Sequence, residues 1–298
     1  MPSAIDARRD LRKKVLLERK LIDEIRAFNK RMVRLAVKEY AQGAGALNAA
    51  TLQPELIEIL TKHYDRVGEP FSRQLTEVMP DDIAVTSTER EAIEKALALF
   101  YAGRAPEQAG IITATNQRDI VASIDQAIEI GQQEAAEGRP HTRRDTAVLT
   151  GVSLSRKLRG RVTGIASLET QAVAEAAKAT ESQILTFQPP SVTGGTLREV
   201  PVIKEWVTMG DEVVRRGAFS HVGADSQEKP LNQPFEVGGQ LLRWPGDTSL
   251  GASAGNVIHC RCSSVIDAQS VFAVRRKRGE SPSIDVTASE QLLTSLGG

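Results

Sequence analysis

The chain has 298 residues, an apolar fraction of 41%, aromatics at only 4%, and 38 Lys or Arg against 38 Asp or Glu. That composition is ordinary for a globular protein, and the balanced charge gives no whole-molecule field toward DNA or an anionic membrane. No uninterrupted apolar run approaches the roughly 18 residues of a membrane span, and the N-terminal MPSAIDARRDLRKK lacks the apolar core of a secretory signal, so no membrane span and synthesis in the cytoplasm are expected.

Residues 3–40 read as one long helix, because Leu21, Ile25, Phe28, Met32 and Leu35 recur at spacings of four and three with charges between them. Such a seam serves a helix of the same domain or a partner. The first forty residues carry twelve Lys or Arg against six Asp or Glu, and residues 1–45 are read as a basic amphipathic docking arm. The run from Gln42 to Gly45 ends it. Further helices are expected over 54–75 and 87–101, separated by a turn at Met79-Pro80-Asp81-Asp82, and over 115–135, where Ile120, Ile124, Ala127 and Ile128 share a face. Gly138 is placed to stop the last of these. Thr142 and Asp145 have capping-box spacing and open a helix that reaches about residue 185, with a break at Gly160. Pro189-Pro190 and the Ser191–Gly195 run form a linker. Residues 46–190 are therefore a helical domain.

The pattern changes after Leu197. Residues 200–208 have the β-branched content of a strand, and Asp211 is placed to cap a short helix ending near 219. A hairpin over 234–244 turns at Gly238-Gly239, and Pro245-Gly246-Asp247 makes a second turn. A small-residue loop at 251–255 leads to a final strand over 257–266, and residues 275–298 read as a basic and polar tail. The expected fold is α+β: a long all-helical N-terminal region, then a small C-terminal α+β domain over 191–274 with short antiparallel strands.

Both cysteines, Cys260 and Cys262, lie one residue apart, too close for an unstrained bridge, so reduced thiols are expected. On a strand both sulfurs share a face while His259 and Arg261 take the other. Two thiolates on one face can hold one zinc ion, with His221 as a third ligand and Asp225 or Asp247 as a fourth. The alternative is a pair of small buried core residues. A catalytic thiolate dyad of a cysteine with His221 or His259 lacks an orienting third group, and Gly238-Gly239 and Gly251 lack the helix and Lys of a phosphate loop. The first helix and the run Arg275, Arg276, Lys277, Arg278 suit non-specific contact with DNA phosphates, without aromatics for base stacking.

Taken in order, Lys204 and Trp206, Asp211 through Arg215, His221, Phe235 through Gly238 and Gly239, then Pro245, Gly246 and Asp247, and finally Cys260, Arg261 and Cys262 form a recognisable set. The set resembles the Mu protein F-like minor head proteins of tailed phages, the head morphogenesis family. Just upstream, the Ile165-Ala166-Ser167-Leu168-Glu169-Thr170 helix also fits that pattern. His259 stands where the family usually has Asn, and the gap between Arg215 and His221 is longer than usual. The resemblance spans about a third of the chain, residues 161–266. It implies a non-enzymatic virion component made in the bacterial host cytoplasm, placed near the portal in the phage head and acting in head morphogenesis and DNA packaging or ejection. The implied partners are the portal protein, the major capsid protein and packaged double-stranded DNA. Two alternatives stand beside it: a zinc- or thiol-dependent enzyme acting in assembly or after ejection, and a DNA-binding head accessory protein.

Overall fold

The computed structural model describes residues 4–186, 201–208, 219–258 and 260–278. Asp211 and Arg215, the helix expected between them, the linker after Pro189 and His259 lie outside those residues. The architecture is mostly helical and ends in a small domain of short antiparallel strands, as the composition shift predicts.

Helix α1 spans Ala4–Ala41, uninterrupted because no Gly or Pro falls within it. Gly43 closes it in the left-handed region at φ 94°, and the Ala44 N–H turns back to the Glu39 carbonyl. Of its seam residues, Leu21, Ile25, Phe28 and Met32 are buried within the chain and Leu35 is half-buried. The seam is thus largely occupied within the chain, and the exposed side of α1 carries Arg19, Lys30 and Arg34 together with Leu16.

Helix α2 covers Gln53–Phe71, and α3 covers Ser87–Ala136. The two helices expected over 87–101 and 115–135 are thus one, and it passes straight through Pro106. Pro106 is exposed, while Tyr101, Ala105, Ala109, Ile112, Asn116 and Ile120 continue one buried stripe. Packing of that stripe overrides the hydrogen bond the proline removes. Helix α4, Arg143–Thr186, opens on the expected box: the Thr142 N–H donates to Asp145 at 2.9 Å and the Asp145 N–H returns to Thr142 at 3.3 Å. It runs unbroken past Gly160, which meets no neighbour.

The strands are β1 Ile203–Val207, β2 Gln227–Pro230, β3 Phe235–Val237, β4 Gln240–Leu242 and β5 Ser263–Ile266. An antiparallel sheet has the order β2-β1-β5, and β3 and β4 form a separate hairpin. Gly238 and Gly239 turn that hairpin with φ of 56° and 73°, the two positive values that a type I′ turn demands. The final strand is shorter than expected. A one-turn helix α5, Ala254–Val257, replaces its first part, and Cys260 and Cys262 lie between α5 and β5. The expected C-terminal tail begins instead inside helix α6, Ala268–Arg278, whose first turn is capped by Asp267 accepting from the Gln269 and Ser270 N–H groups.

By contacts the chain divides into two units: residues 1–18 with 63–102 and 167–298, and residues 19–62 with 103–166. These follow different lines from the segments read in sequence, because each of α1 to α4 contributes a stretch to each unit. The second unit is a four-helix core containing Leu21, Phe28, Leu60, Ile120 and Leu154. The first holds all the strands together with the C-terminal half of α4, whose fourteen residues from 169 to 182 are buried on every face.

Within that first unit Gly68 lets α2 and α3 close up, since a Cβ there would fall 1.5 Å from the Tyr101 hydroxyl oxygen. Gly68→Ala is expected to cost about 1–3 kcal/mol in chemical denaturation, despite the better helix propensity of alanine. Tyr101→Phe is expected to be close to neutral, because the buried hydroxyl finds no hydrogen-bond partner among the described residues.

Candidate metal centre

Three groups converge in the small domain: His221, Cys260 and Cys262, with ligand atoms all within 4.8 Å of one another. His221 Nδ1 lies 3.3 Å from Cys262 Sγ and 3.5 Å from Cys260 Sγ. A tetrahedral zinc ion, with Zn–S near 2.3 Å and Zn–N near 2.0–2.1 Å, separates such ligand atoms by roughly 3.5 Å. Both nitrogen–sulfur distances match that spacing, and the arrangement is compatible with one structural zinc ion.

The ring is also held in the right protonation state for a ligand. His221 Nε2 lies 2.8 Å from Asn256 Oδ1, while Asn256 Nδ2 donates to the Val237 carbonyl at 2.8 Å and to Gln240 Oε1 at 3.1 Å. The amide orientation of Asn256 is thereby fixed, so its oxygen takes the Nε2–H and leaves Nδ1 as the lone pair facing the sulfurs. In the thiols alone, the Cys262 hydrogen bond holds Cys260 below the ordinary thiol range against the effect of burial. Cys262 is pushed up correspondingly. A metal would take both sulfurs as thiolates and displace their protons. The indole Nε1 of Trp206 has no closed hydrogen bond, yet it lies near enough to Cys262 to favour that sulfur's charged form.

Motif residues far apart in sequence build this centre. Trp206, Phe235, Val237, Leu242 and Val257 make one apolar cluster with both cysteines, and the Trp206 ring meets His221 and Phe235 edge-on at 5.9 and 5.3 Å. Lys204 is buried beneath it, donating to the Arg243 carbonyl at 2.7 Å and lying 4.8 Å from the centre of the Phe235 ring. Burial brings its amine down to about 8, although Asp247 opposes the shift. Gly246, at φ 85°, lets the Pro245-Gly246 turn press on α4, where a Cβ would meet Gln171 Cγ at 3.0 Å. Asp247 does not reach the metal centre: it accepts from the Arg243 N–H and from Ser249. Asp225 is also placed elsewhere, accepting from the Thr208 N–H and hydroxyl. The expected fourth ligand therefore comes from neither. Arg261 is half-buried between the cysteines, with Glu18 in its field.

Sequence reasoning missed the buried ion cluster behind the cysteines. Glu175 of α4, fully buried, pairs with Lys14 of α1 and with Lys178 at 2.8 Å. It also accepts from Gln171 at 3.4 Å and, on β5, from the Ser264 N–H at 2.9 Å and from both serine hydroxyls. Lys178 donates to Ser263 Oγ at 2.9 Å and to the Ser264 carbonyl at 2.6 Å, and reaches Asp10 at 3.5 Å. Gln171 donates to the Cys262 carbonyl at 2.9 Å. The Glu-Thr pair upstream is likewise engaged with α2: Tyr64 donates to Glu169, and His63 meets Thr170 at 2.8 Å.

The basic C-terminal run is also committed. Arg275 is bidentate to Glu89, at 2.7 and 3.1 Å, and donates to the carbonyls of Ile83, Ala84 and Leu185. Arg276 pairs with Asp82 on the surface, and the side chains of Lys277 and Arg278 lie outside the described residues. Arg275 is therefore a structural clamp on α6 and is unavailable to phosphates. Among the described residues no helix is long and apolar enough to cross a membrane.

Burial disfavours the charged form of Glu175, and the charges of Lys14 and Lys178 overcome this and bring its carboxyl down to about 2, from 4.5. The folded value lies below the unfolded one, so the stability it contributes is complete above about pH 4.5 and is lost as pH falls toward 2. Glu175→Gln, which strands two buried lysines, is expected to cost about 3–5 kcal/mol at pH 7 and to flatten the acid limb of the stability curve, as read by denaturation from pH 7 to 2.5. No family model, curated protein or solved structure matches the chain.

Proposed function

We propose that the chain is a minor head protein of the phage head morphogenesis family, a structural component whose C-terminal module is closed by zinc and docked on its own helical region. The observation that carries this reading is the convergence of the motif: Lys204, Trp206, His221, Phe235, Gly238, Gly246, Cys260 and Cys262 enter one small core and its immediate supports. Positions scattered in sequence but gathered in one core are what a structural module requires.

His221 Nδ1 and the sulfurs of Cys260 and Cys262 would hold the ion, and zinc there would supply a cross-link between segments about forty residues apart in sequence. Asn256 keeps the imidazole in its ligating tautomer. His221, Cys260 and Cys262 are exposed by only 1%, 6% and 3%, and both sulfurs lie in the apolar cluster around Trp206, which favours a structural over a catalytic ion. Asn256→Ala is expected to weaken zinc binding by about 10–100-fold, measured by competition with a chromogenic chelator.

The proposed partner is the portal protein, met through the exposed basic face of α1 rather than its seam. Arg19, Lys30 and Arg34 lie along one exposed side of that helix. Co-expression with a portal protein of the same genome should give a complex on size exclusion with mass determination. Charge reversal of those three residues to Glu should lower its yield about tenfold. Failure to bind either portal or major capsid protein would remove the virion role.

A further inference from the structure

Beside β5 lies a cleft of about 260 Å³, bordered by Leu75, Val78, Glu181, Val265 and Ile266. Two independent features point to what it takes. The first is a strand edge left partly open. Among the described residues β5 is an edge strand, paired only with β1. Because the Asp267 N–H donates to the Ile203 carbonyl, the alternation of an antiparallel ladder turns the N–H and C=O of Ser264 and Ile266 away from β1. The Ser264 pair is covered, by Glu175 and Lys178. The Ile266 pair meets no partner among the described residues, and it lies on the cleft.

The second feature is a carboxylate with neutral donors only. Glu181 is fully buried and accepts from the Leu75 N–H at 3.1 Å and from the Thr76 N–H and hydroxyl at 2.9 and 2.7 Å. The cations around the cleft are already engaged, Arg9 with Glu77 and Lys178 with Glu175 and Asp10. Burial, helped by the nearby Glu77, consequently pushes the Glu181 carboxyl up to about 7. A cation entering the cleft would remove that penalty.

We propose that this cleft docks an extended cationic segment of a partner protein, whose main chain pairs with Ile266 while an apolar side chain fills the space beside Leu75, Val78 and Val265 and a Lys or Arg reaches Glu181. Strand addition of this kind takes affinity from main-chain hydrogen bonds and specificity from the side chains that point inward. In an extended segment inward side chains are two residues apart, so the cation and the apolar residue should show that spacing.

The test is selection of a fully randomised library of acetylated, amidated hexapeptides on the immobilised full-length protein. The retained pool should be enriched in Lys or Arg two positions from Val, Ile or Leu. Retention should fall about tenfold or more with Glu181→Gln, and likewise with Ile266→Pro, which removes one outward N–H from an edge strand that can accept proline. The second variant decides the matter if the first fails to fold. An empty pool, a pool without that spacing, or retention unchanged in a folded variant would overturn the proposal.

Discussion

A single buried carboxylate ties the first unit together. Glu175 is surrounded by two lysines from different helices and by the serine hydroxyls and N–H of β5, so it joins the start of α1, the end of α4 and the last strand in one contact set. An isolated charge at that depth would be prohibitively costly, and it is tolerated only because every oxygen is answered. Ion pairs of this kind specify an arrangement more than they stabilise it, since an apolar replacement of equal volume often serves stability as well. Here the arrangement specified is the position of Ser263 and Ser264, the two residues that directly follow Cys262. The cysteines are held from one side by α4 and from the other by the Trp206 and Phe235 cluster.

From that anchor the chemistry of the small domain follows. With β5 fixed on α4 and Gln171 gripping the Cys262 carbonyl, the segment between α5 and β5 has little freedom. His221 completes the triad because Asn256 of α5 holds its far nitrogen. The glycines of the motif serve the same end: Gly238 turns the hairpin that supplies Phe235 and Val237, and Gly246 lets the following turn lie against α4. A domain with so few strands and so short a sheet has a small core of its own, which is the situation in which a metal contributes most to folding.

Much of this was legible in the sequence, and the reasons are local. The Gly238-Gly239 turn and the Thr142-Asp145 box are decided by residues within four positions of one another, and both form as expected. Cys260, Cys262 and His221 do come together, although the strand invoked to align the two sulfurs is replaced by a turn after α5. The merger of two expected helices into α3 was hidden by Pro106 and Gly103, which signal a break locally, while the stripe Tyr101, Ala105, Ala109, Ile112 that overrides them is a tertiary effect. β2, with the sequence Gln-Glu-Lys-Pro, has no alternation to betray it and exists because β1 pairs with it. The Lys14, Glu175 and Lys178 cluster was invisible because charges on a helix are normally solvated. Its one sequence signal is the run of Ala172, Ala174, Ala176, Ala177 and Ala179, which places small residues on every face of α4 and suits a helix surrounded by neighbours.

The proposal that a zinc ion closes the small domain is tested most directly by zinc-edge X-ray absorption on the protein purified without added metal or chelator. The account predicts about one zinc per chain, with two sulfur neighbours near 2.3 Å and a histidine nitrogen near 2.0–2.1 Å, and loss of one sulfur shell in Cys262→Ser. Absence of zinc from the folded protein, or a shell built only of oxygen and nitrogen, would contradict it.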